Sequence, residues 1–216
     1  MSNTIKDKPL RILNIIHSLR TGGAEKVVVS HSKNLESKGH CSKICLVVPF
    51  NQIDKEIKYT PLLKSKDQRF LPNFAIAYLN LRKVIKDFRP DVIHCHLQTD
   101  TSLCSLVKGI PIVRSIQNSR IDDKYETLGM RLLSFLERRS FTKKNMNLVV
   151  CNNLVKNLIE KKYKGTVKTS LIRNGVDIKA SRDELLLSNE NSTEPFNILT
   201  IGTLWDLKNK KMAILA

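Results

Sequence analysis

The sequence predicts an α/β protein in which a parallel sheet carries helices on both faces. Short runs of branched apolar residues alternate along the chain with longer segments whose apolar residues recur at helical spacing. Strands that are separated by helices require right-handed crossovers, and these place successive strands parallel to one another. The 216 residues are 41% hydrophobic and 26% charged, which is ordinary for a globular chain and sufficient for one domain with a buried core.

The first predicted unit is a strand, a glycine-containing turn and a helix. The strand covers residues 10–16 and the helix residues 24–37, and Gly39 ends the helix as a left-handed cap. A second strand is predicted at residues 44–48. Residues 50–72 are polar and interrupted by prolines, so we expect a long connection there.

The same alternation continues to residue 172. Arg89 and Pro90 stop the next predicted helix, because proline cannot continue a helix and disfavours helical backbone in the residue before it. The remaining predicted elements are, in order, a helix at residues 73–88, a strand at 92–96, a helix at 101–108, a strand at 110–116, a helix at 125–141, a strand at 148–151, a helix at 153–163 and a strand at 167–172.

The composition changes near residue 178, which predicts a domain boundary. Residues 1–178 form the predicted N-terminal domain, and residues 179–195 are polar and end in a proline, as interdomain linkers do. Residues 196–216 contain one buried-strand pattern and the beginning of a helix. Because so short a piece can neither hold an isolated helix nor pair a lone strand, we expect it to be the truncated start of a second domain.

The net charge of +17 favours anionic partners, and it also fits a solvated lysine-rich surface. Nucleic acid is disfavoured as the partner, because aromatic residues make up only 6% and no stacking or groove-reading motif occurs. Five cysteines without a CxxC pair indicate a reducing compartment. No apolar stretch has the length of a membrane span or the features of a signal peptide, so we expect a cytoplasmic location.

A glycine turn, Thr21-Gly22-Gly23, lies between the first strand and the first helix. Glycines at this position let a phosphate approach the backbone N–H groups at the positive end of the helix. A tight turn that needs positive φ is the alternative. The turn lacks the GxGxxG fingerprint, and no acidic residue follows the second strand, so a nicotinamide dinucleotide site is disfavoured. No GxSxG element or Walker A loop supports a hydrolase or an NTPase.

Two histidines, His94 and His96, lie two residues apart at the end of a predicted strand, so their side chains share one face. Ligands of open parallel sheets bind at this end of the strands. Histidines that cap the strand end by hydrogen bonding are the alternative. A metal site is not predicted, because no third or fourth ligand completes the pair.

The predicted helix at residues 125–141 has a basic amphipathic pattern. Its arginines alternate with leucines and phenylalanines, and two lysines follow it. Such a helix can lie on an anionic membrane surface. A core-facing helix with a solvated basic side is the favoured interpretation.

Four short motifs follow one another along the chain: residues 17–25 (HSLRTGGAE), residues 90–96 (PDVIHCH), residues 172–177 (IRNGVD) and residues 201–209 (IGTLWDLKN). Taken together, they resemble the N-terminal half of a family 4-type retaining glycosyltransferase with the two-Rossmann GT-B architecture. The resemblance extends over nearly the whole chain. It implies a Rossmann-like N-terminal domain on the acceptor side, followed by the first residues of a donor-binding domain.

The resemblance implies transfer of a sugar from a nucleotide-sugar donor to a glycan or lipid-linked acceptor, with retained anomeric configuration. The expected reaction uses no cofactor and no metal, since protein cations and helix dipoles stabilise the leaving diphosphate. The expected setting is cell-surface polysaccharide synthesis at the inner face of the cytoplasmic membrane, with peripheral association with that membrane and no nucleic-acid partner.

The resemblance also indicates ligand contacts, although it assigns no catalytic residue. Gln117 stands where the family commonly has a histidine that hydrogen-bonds the transferred sugar. Lys208 matches a lysine that neutralises the departing diphosphate, whereas Thr203 stands in place of the accompanying arginine. The expected donor- or acceptor-binding residues are Gly22, Gly23, His96, Gln117, Asn174 and Lys208.

The 216 residues alone are not expected to catalyse well, because most of a donor-binding domain is missing from them. The interaction at one helix end contributes roughly 0.3–2 kcal/mol, whereas enzymes lower reaction barriers by about 8–23 kcal/mol. The alternative function is therefore a non-catalytic acceptor-binding module, or a half-enzyme that needs a partner chain.

Overall fold

The computed structural model describes residues 8–65, 73–117, 127–164 and 166–175. The chain divides into two compact units, Met1–Gly175 and Val176–Ala216, and the described residues all belong to the first unit. The predicted linker, the predicted opening of a second domain and Lys208 therefore lie outside the described residues.

The described residues contain a seven-stranded sheet. Its strands are β1 Arg11–Ile16, β2 Cys41–Leu46, β3 Tyr59–Pro61, β4 Val92–Cys95, β5 Ile112–Ile116, β6 Met146–Val150 and β7 Thr169–Leu171. Their order across the sheet is β3-β2-β1-β4-β5-β6-β7. Every neighbouring pair is parallel, as the alternation of strands and helices predicted.

Helices cover both faces of this sheet. Those in the described residues are α1 Gly23–Ser37, α2 Phe74–Phe88, α3 Gln98–Cys104, α4 Leu128–Ser140 and α5 Asn153–Tyr163. On one face, Val28 of α1 packs in a cluster with Ile16 of β1. On the other face, Leu81 of α2 and Ile159 of α5 share a larger cluster with Leu13 of β1. The predicted α/β class with helices on both faces is therefore confirmed.

The strand β3 was not predicted. It lies inside the segment that the sequence predicted to be a long connection, and its three residues pair with Ile44 to Leu46 of β2. It is an edge strand that ends at Pro61. Proline lacks the N–H that a further ladder bond needs, and three residues are too few to show a strand pattern.

Several predicted boundaries were wrong by a few residues. β2 begins at Cys41 rather than at residue 44, because Arg11 of β1 pairs with it despite the polar sequence there. α3 begins at Gln98, three residues early, because the Asp100 carboxylate accepts the backbone N–H of Leu97 and fixes the start of the helix. It ends four residues before the predicted position. The predicted left-handed glycine after α1 is confirmed, with φ +84°.

The strand order reverses between β1 and β4. From β1 the chain moves outward through β2 and β3, and it then returns to pair β4 with the other side of β1. The helices that leave β1 and β4 lie on opposite faces, and in open parallel sheets such a reversal is where a ligand-binding crevice forms, at the carboxyl ends of the two strands. The glycine turn follows β1 and His96 follows β4 directly, so both predicted features lie at this crevice.

Candidate functional site

The glycine turn forms the N-terminus of α1. Gly22 precedes the helix, Gly23 is its first residue, and no side chain caps this end. Gly22 has a φ of −153°, an extended conformation that any residue adopts, so positive φ does not explain the glycine. A Cβ on Gly22 would instead collide with the carboxylate of Glu25, whereas a Cβ on Gly23 would meet open space. The turn therefore exposes backbone donors at a positive helix end beside Glu25.

One contact joins the two sides of the crevice. His17 follows β1 directly, and its Nδ1 lies 3.4 Å from Oγ1 of Thr99 in the first turn of α3. Burial lowers the pKa of His17, and the positive charge of Arg20 adds to the effect, so the imidazole is neutral at pH 7. His17 was not among the predicted site residues. Its position directly after a central strand was the signal that could have found it.

His96 has a fixed backbone and an unpaired ring. Its N–H donates to Oδ2 of Asp100 at 2.7 Å, and its carbonyl oxygen accepts a hydrogen bond from the guanidinium of Arg114. The residue is only 1% exposed, yet neither ring nitrogen has a hydrogen-bond partner within the described part of the chain. Buried polar groups normally have partners, so these two nitrogens leave unused hydrogen-bonding capacity at the end of β4.

A buried ion pair holds the carbonyl group of His96 in place. Arg114 of β5 donates from Nε and Nη2 to Oε1 of Glu137 in α4, at 3.1 and 3.0 Å. The remaining nitrogen, Nη1, donates hydrogen bonds to the carbonyl oxygens of His96 and Ser115. Charges are retained in protein interiors when they are paired and hydrogen-bonded, as here. Through Arg114, α4 therefore supports the end of β4.

Asp100 holds the backbone N–H of His96 in place. Its carboxylate accepts the N–H groups of His96 and Leu97, which caps the start of α3 from inside the protein. Burial raises the pKa of Asp100 to about 7, although the positive charge of Arg114 and the backbone N–H groups act in the opposite direction. A buried carboxyl group with a raised pKa therefore lies directly behind the end of β4.

Two further histidines extend a row of imidazoles from His96. The rings of His94 and His96 lie 4.0 Å apart, and those of His31 and His94 lie 5.2 Å apart, so the predicted shared face of His94 and His96 is confirmed. Nε2 of His94 lies 2.7 Å from Oγ of Ser115. Burial lowers the pKa of His94 to about 3 and the pKa of His96 well below its usual value, with nearby positive charges adding to both shifts. The structural interpretation therefore fits His94, whereas the ring of His96 has no such partner among the residues that the structure describes.

Gln117 and Asn174 lie at different distances from the crevice. Gln117 follows β5, the neighbour of β4, and its Nε2 has no partner among the described residues. Asn174 is exposed and follows β7, three strands from β4, which corresponds to roughly 14 Å across a sheet. The glycine turn, His96 and Gln117 thus occupy three adjacent strand ends, and Asn174 stands apart. Their contacts with donor or acceptor stay predictions.

Two kinds of feature do not occur in the ranges that the structure describes. No group of three or more histidine, cysteine, aspartate or glutamate side chains there is arranged to hold a metal ion. No helix there is both long enough and apolar enough to cross a membrane.

A family model described as Glycosyltransferase Family 4 matches residues 21–180. The chain belongs to glycosyltransferase family 4. The range matched by the family 4 model begins within the glycine turn and contains His96, Gln117 and Asn174, whereas Lys208 lies beyond it.

Solved structures share the fold of this family 4 domain. Sucrose-phosphate synthase from Thermosynechococcus elongatus has a TM-score of 0.56 at 8% identity, over 77% of this chain and 48% of that one. HepE from Anabaena, solved with UDP and glucose, has a TM-score of 0.56 at 16% identity, over 82% and 48%. WaaG, a glycosyltransferase involved in lipopolysaccharide biosynthesis, has a TM-score of 0.56 at 12% identity, over 74% and 44%. No curated protein matches the sequence.

The family 4 chain spans about half the length of these solved chains. Its seven parallel strands and their helices correspond to the N-terminal, Rossmann-like half of a GT-B glycosyltransferase. The resemblance to family 4 and to the GT-B architecture is therefore confirmed, whereas the motif at residues 201–209 lies beyond the matched range.

Proposed function

We propose that this family 4 chain takes part in the transfer of a sugar from a nucleotide-sugar donor to a glycan or lipid-linked acceptor, with retained anomeric configuration. The proposed setting is cell-surface polysaccharide synthesis at the inner face of the cytoplasmic membrane. One observation carries the proposal: the end of α1 at Gly22 and Gly23, which has no N-cap side chain, lies at the same edge of the sheet as the ring of His96, whose nitrogens have no partner among the described residues. The first feature suits a phosphate and the second suits a sugar hydroxyl.

The N-terminus of α1 is the proposed site for the donor diphosphate. Its first-turn N–H groups have no side-chain cap, and the helix dipole places positive potential there. Open space beside Gly23 lets an anion approach the backbone. Glu25 lies on the other side of the turn, against Gly22, and its negative charge repels phosphate. We therefore expect a sugar hydroxyl, which can donate to a carboxylate, on the Glu25 side.

The rings and amides at the neighbouring strand ends are the proposed contacts for the sugar. A neutral imidazole offers one donor and one acceptor, which matches a hydroxyl group that both donates and accepts. His96 is held neutral by burial, which lowers the pKa of its ring. Nε2 of Gln117, which has no partner among the described residues, adds a donor at the end of β5.

The described residues bind and orient the reactants in this proposal, and they do not carry the chemical step alone. The acceptor hydroxyl forms a bond to the anomeric carbon while the bond from that carbon to the diphosphate breaks, and the hydroxyl proton passes to an oxygen of the departing diphosphate. The negative charge that develops on the diphosphate is stabilised by the N-terminus of α1. No cofactor is proposed, and the nucleotide sugar is a substrate.

An amide NMR titration of the 216-residue chain with a panel of nucleotide sugars tests the donor site. At millimolar ligand we expect shift changes in the first turn of α1 and in the turn between β4 and α3. Gly23→Asp places a carboxylate in the open space and should remove these changes. Gly109→Asn is the matched control, since Asn tolerates the positive φ found there. Unchanged spectra with every nucleotide sugar would overturn the donor site.

The alternative is an acceptor-binding module, or a half-enzyme that needs a partner chain. Co-purification of a partner that restores sugar transfer would support this alternative. Efficient transfer by the 216 residues alone would exclude it.

A further inference from the structure

A groove with a volume of about 780 Å³ lies on the face of the sheet that carries α2. It runs between α2 and residues 106–110, which join α3 to β5. Its lining includes Lys86 near the end of α2, which leads into β4, and Ile110, two residues before β5. The groove therefore lies towards the amino ends of these strands, whereas the glycine turn and His96 lie at the carboxyl ends.

The floor of the groove is apolar and partly open to solvent. Leu79 of α2 and Leu106 of the facing segment are 57% and 37% exposed, and Val107 beside them is buried. The hydroxyl group of Tyr78 donates to the carbonyl oxygen of Leu106 at 3.3 Å, which joins the two walls. Ile76, one turn before Leu79, is 51% exposed. Apolar surface therefore continues along α2 beyond the groove.

The rim of the groove is basic. The charged residues of the lining are all cations, namely Arg82, Lys83, Lys86 and Lys108, and all four are exposed. Those on α2 follow Leu79 at positions i+3, i+4 and i+7, so they share one side of the helix with it. Within the part of the chain that the structure describes, none of the four forms an ion pair. Their positive charge is available to a partner.

The outer side of α4 is also apolar, which overturns the favoured interpretation of this helix as one whose apolar side faces the core. Leu132 and Phe135 are 53% and 56% exposed, whereas Glu137 is buried. The ion pair of Glu137 with Arg114 holds the polar side of α4 inward. These apolar residues do not line the groove, so Leu132 offers a control of nearly equal exposure for Leu79.

We propose that the basic groove, defined as α2 from Leu79 to Lys86 with residues 106–110, binds an acidic amphipathic helix of a partner protein. An α-helix is about 10 Å across, and its convex surface suits a groove between two walls. Apolar side chains of the partner helix cover Leu79 and Leu106, while carboxylates on its flanks lie beside the cations of the rim.

Charge and shape together select this partner. A basic helix is repelled by four cations, and the phosphate backbone of a nucleic acid offers no apolar counterpart to the two leucines. The proposal goes beyond sugar transfer, because the groove lies at the other end of the strands from the crevice. Binding of a helix there requires no donor or acceptor, so either proposal can fail without the other.

Fluorescence anisotropy of the full chain with three synthetic helical peptides tests the groove. The first peptide has leucines at positions i, i+3, i+4 and i+7 and glutamates on the flanks of this stripe. The second replaces the glutamates by lysines, and the third replaces the leucines by serines. We expect the first peptide to bind about tenfold more tightly than either of the others. Its affinity should fall as salt is added.

Variants of the two parts of the groove should weaken binding of the first peptide. Leu79→Ser should raise its Kd about fivefold or more, since an apolar contact is lost. The double variant K83E/K86E reverses two exposed charges and should raise the Kd about tenfold at low salt. Leu132→Ser on α4 and Lys38→Glu at the end of α1 are the matched controls, and both should bind like the wild type.

Four results would overturn the proposal. The first is equal affinity of Leu79→Ser and the wild type for the acidic peptide. The second is equal binding of the acidic and the basic peptide. The third is a loss of affinity in Leu132→Ser as large as that in Leu79→Ser. The fourth is a wild-type chain that binds an oligoribonucleotide or phosphatidylglycerol vesicles through Lys83 and Lys86 while it ignores the acidic peptide.

Discussion

Arg114 and Glu137 form an ion pair in which two nitrogens of the guanidinium share a single carboxylate oxygen, at 3.1 and 3.0 Å. The two residues are only 7% and 9% exposed. Since the third nitrogen of Arg114 bonds the carbonyl oxygen of His96, the pair connects α4 to the end of β4. The stability of the domain and the geometry of the crevice therefore depend on the same contact.

Loss of the carboxylate should destabilise the domain strongly. Glu137→Met leaves the guanidinium of Arg114 buried without a counter-charge, for which we expect a loss of about 3–5 kcal/mol in the free energy of unfolding. Urea unfolding measures this loss. Glu36→Met on the exposed side of α1 is the control and should change stability by no more than about 0.5 kcal/mol. A Glu137→Met protein that unfolds at the wild-type urea concentration would show that the pair is not what holds α4.

Loss of the ring nitrogens should lower the stability of the domain at His94 but not at His96. His94→Phe removes the hydrogen bond to Ser115 and leaves that hydroxyl without the imidazole, so we expect a loss of about 1–3 kcal/mol. His96→Phe removes two nitrogens that have no partner among the described residues, so stability should be unchanged or higher. Thermal unfolding of the two variants makes the comparison.

The same His96→Phe variant tests a role in ligand binding. Its ligand-induced NMR shifts should weaken while its fold is retained. Full retention of those shifts would remove His96 from the site. A strongly destabilised His96→Phe protein would indicate instead that the ring nitrogens have a structural task.

Acid should destabilise the domain through its buried histidines. Burial lowers the pKa of His94 to about 3, against an ordinary value of 6.5, with the charges of His31 and Arg114 adding to the shift. The unfolded chain therefore binds the proton first, and the stability that His94 contributes is present above pH 6.5 and is lost as the pH falls towards 3. The slope is about 1.4 kcal/mol per pH unit for each such histidine.

The variant His94→Gln isolates this contribution to the pH dependence. Gln keeps a polar group near Ser115 but does not titrate, so its stability should fall less steeply than that of the wild type between pH 6.5 and pH 4. Urea unfolding across this range gives the slopes. His40→Gln, at a partly exposed position outside the crevice, is the control. Parallel curves for His94→Gln and wild type would contradict the assignment.

Asp100 should have the opposite effect on the pH dependence of stability, because its contribution is lost as the pH rises. Burial raises the pKa of Asp100 from 3.8 to about 7, so the folded state holds the proton more tightly than the unfolded chain does. The stability that this proton contributes is fully present below pH 3.8 and is lost as the pH rises through 7. Asp100→Asn can still accept a backbone N–H but does not titrate, so its stability relative to the wild type should rise between pH 4 and pH 7. If the difference in unfolding free energy between Asp100→Asn and the wild type is the same across this range, the pKa of Asp100 is not raised.

The fold class was predictable because its signals are local. The apolar runs at β1 and β4 and the helical spacing of α1 and α2 are each visible within one segment. β3 escaped prediction because three residues at a sheet edge gain their structure from pairing with β2, not from their own pattern.

The candidate site was predictable in position but not in construction. His96 could be selected from its place at a strand end. The position of its backbone depends on Arg114 and Glu137, which lie 18 and 41 residues further along the chain. No local sequence pattern indicates that these residues contact each other or His96. The outward direction of α4 escaped prediction for a related reason. Counting apolar residues identifies the core side of a helix only when that side is apolar, and here it holds an ion pair.

The inner strand β1 sets the order in which the domain can fold. β1 pairs with β2 thirty positions along the chain, but its other neighbour is β4, where the N–H of Arg11 donates to the carboxylate of Asp91, eighty positions away. During synthesis, β1 must keep an unpaired edge until β4 has left the ribosome. Closing so long a loop is slow, since its entropy is lost before any contact across it forms. The domain is therefore most prone to aggregation during the time in which β1 has an edge that is not yet paired with β4.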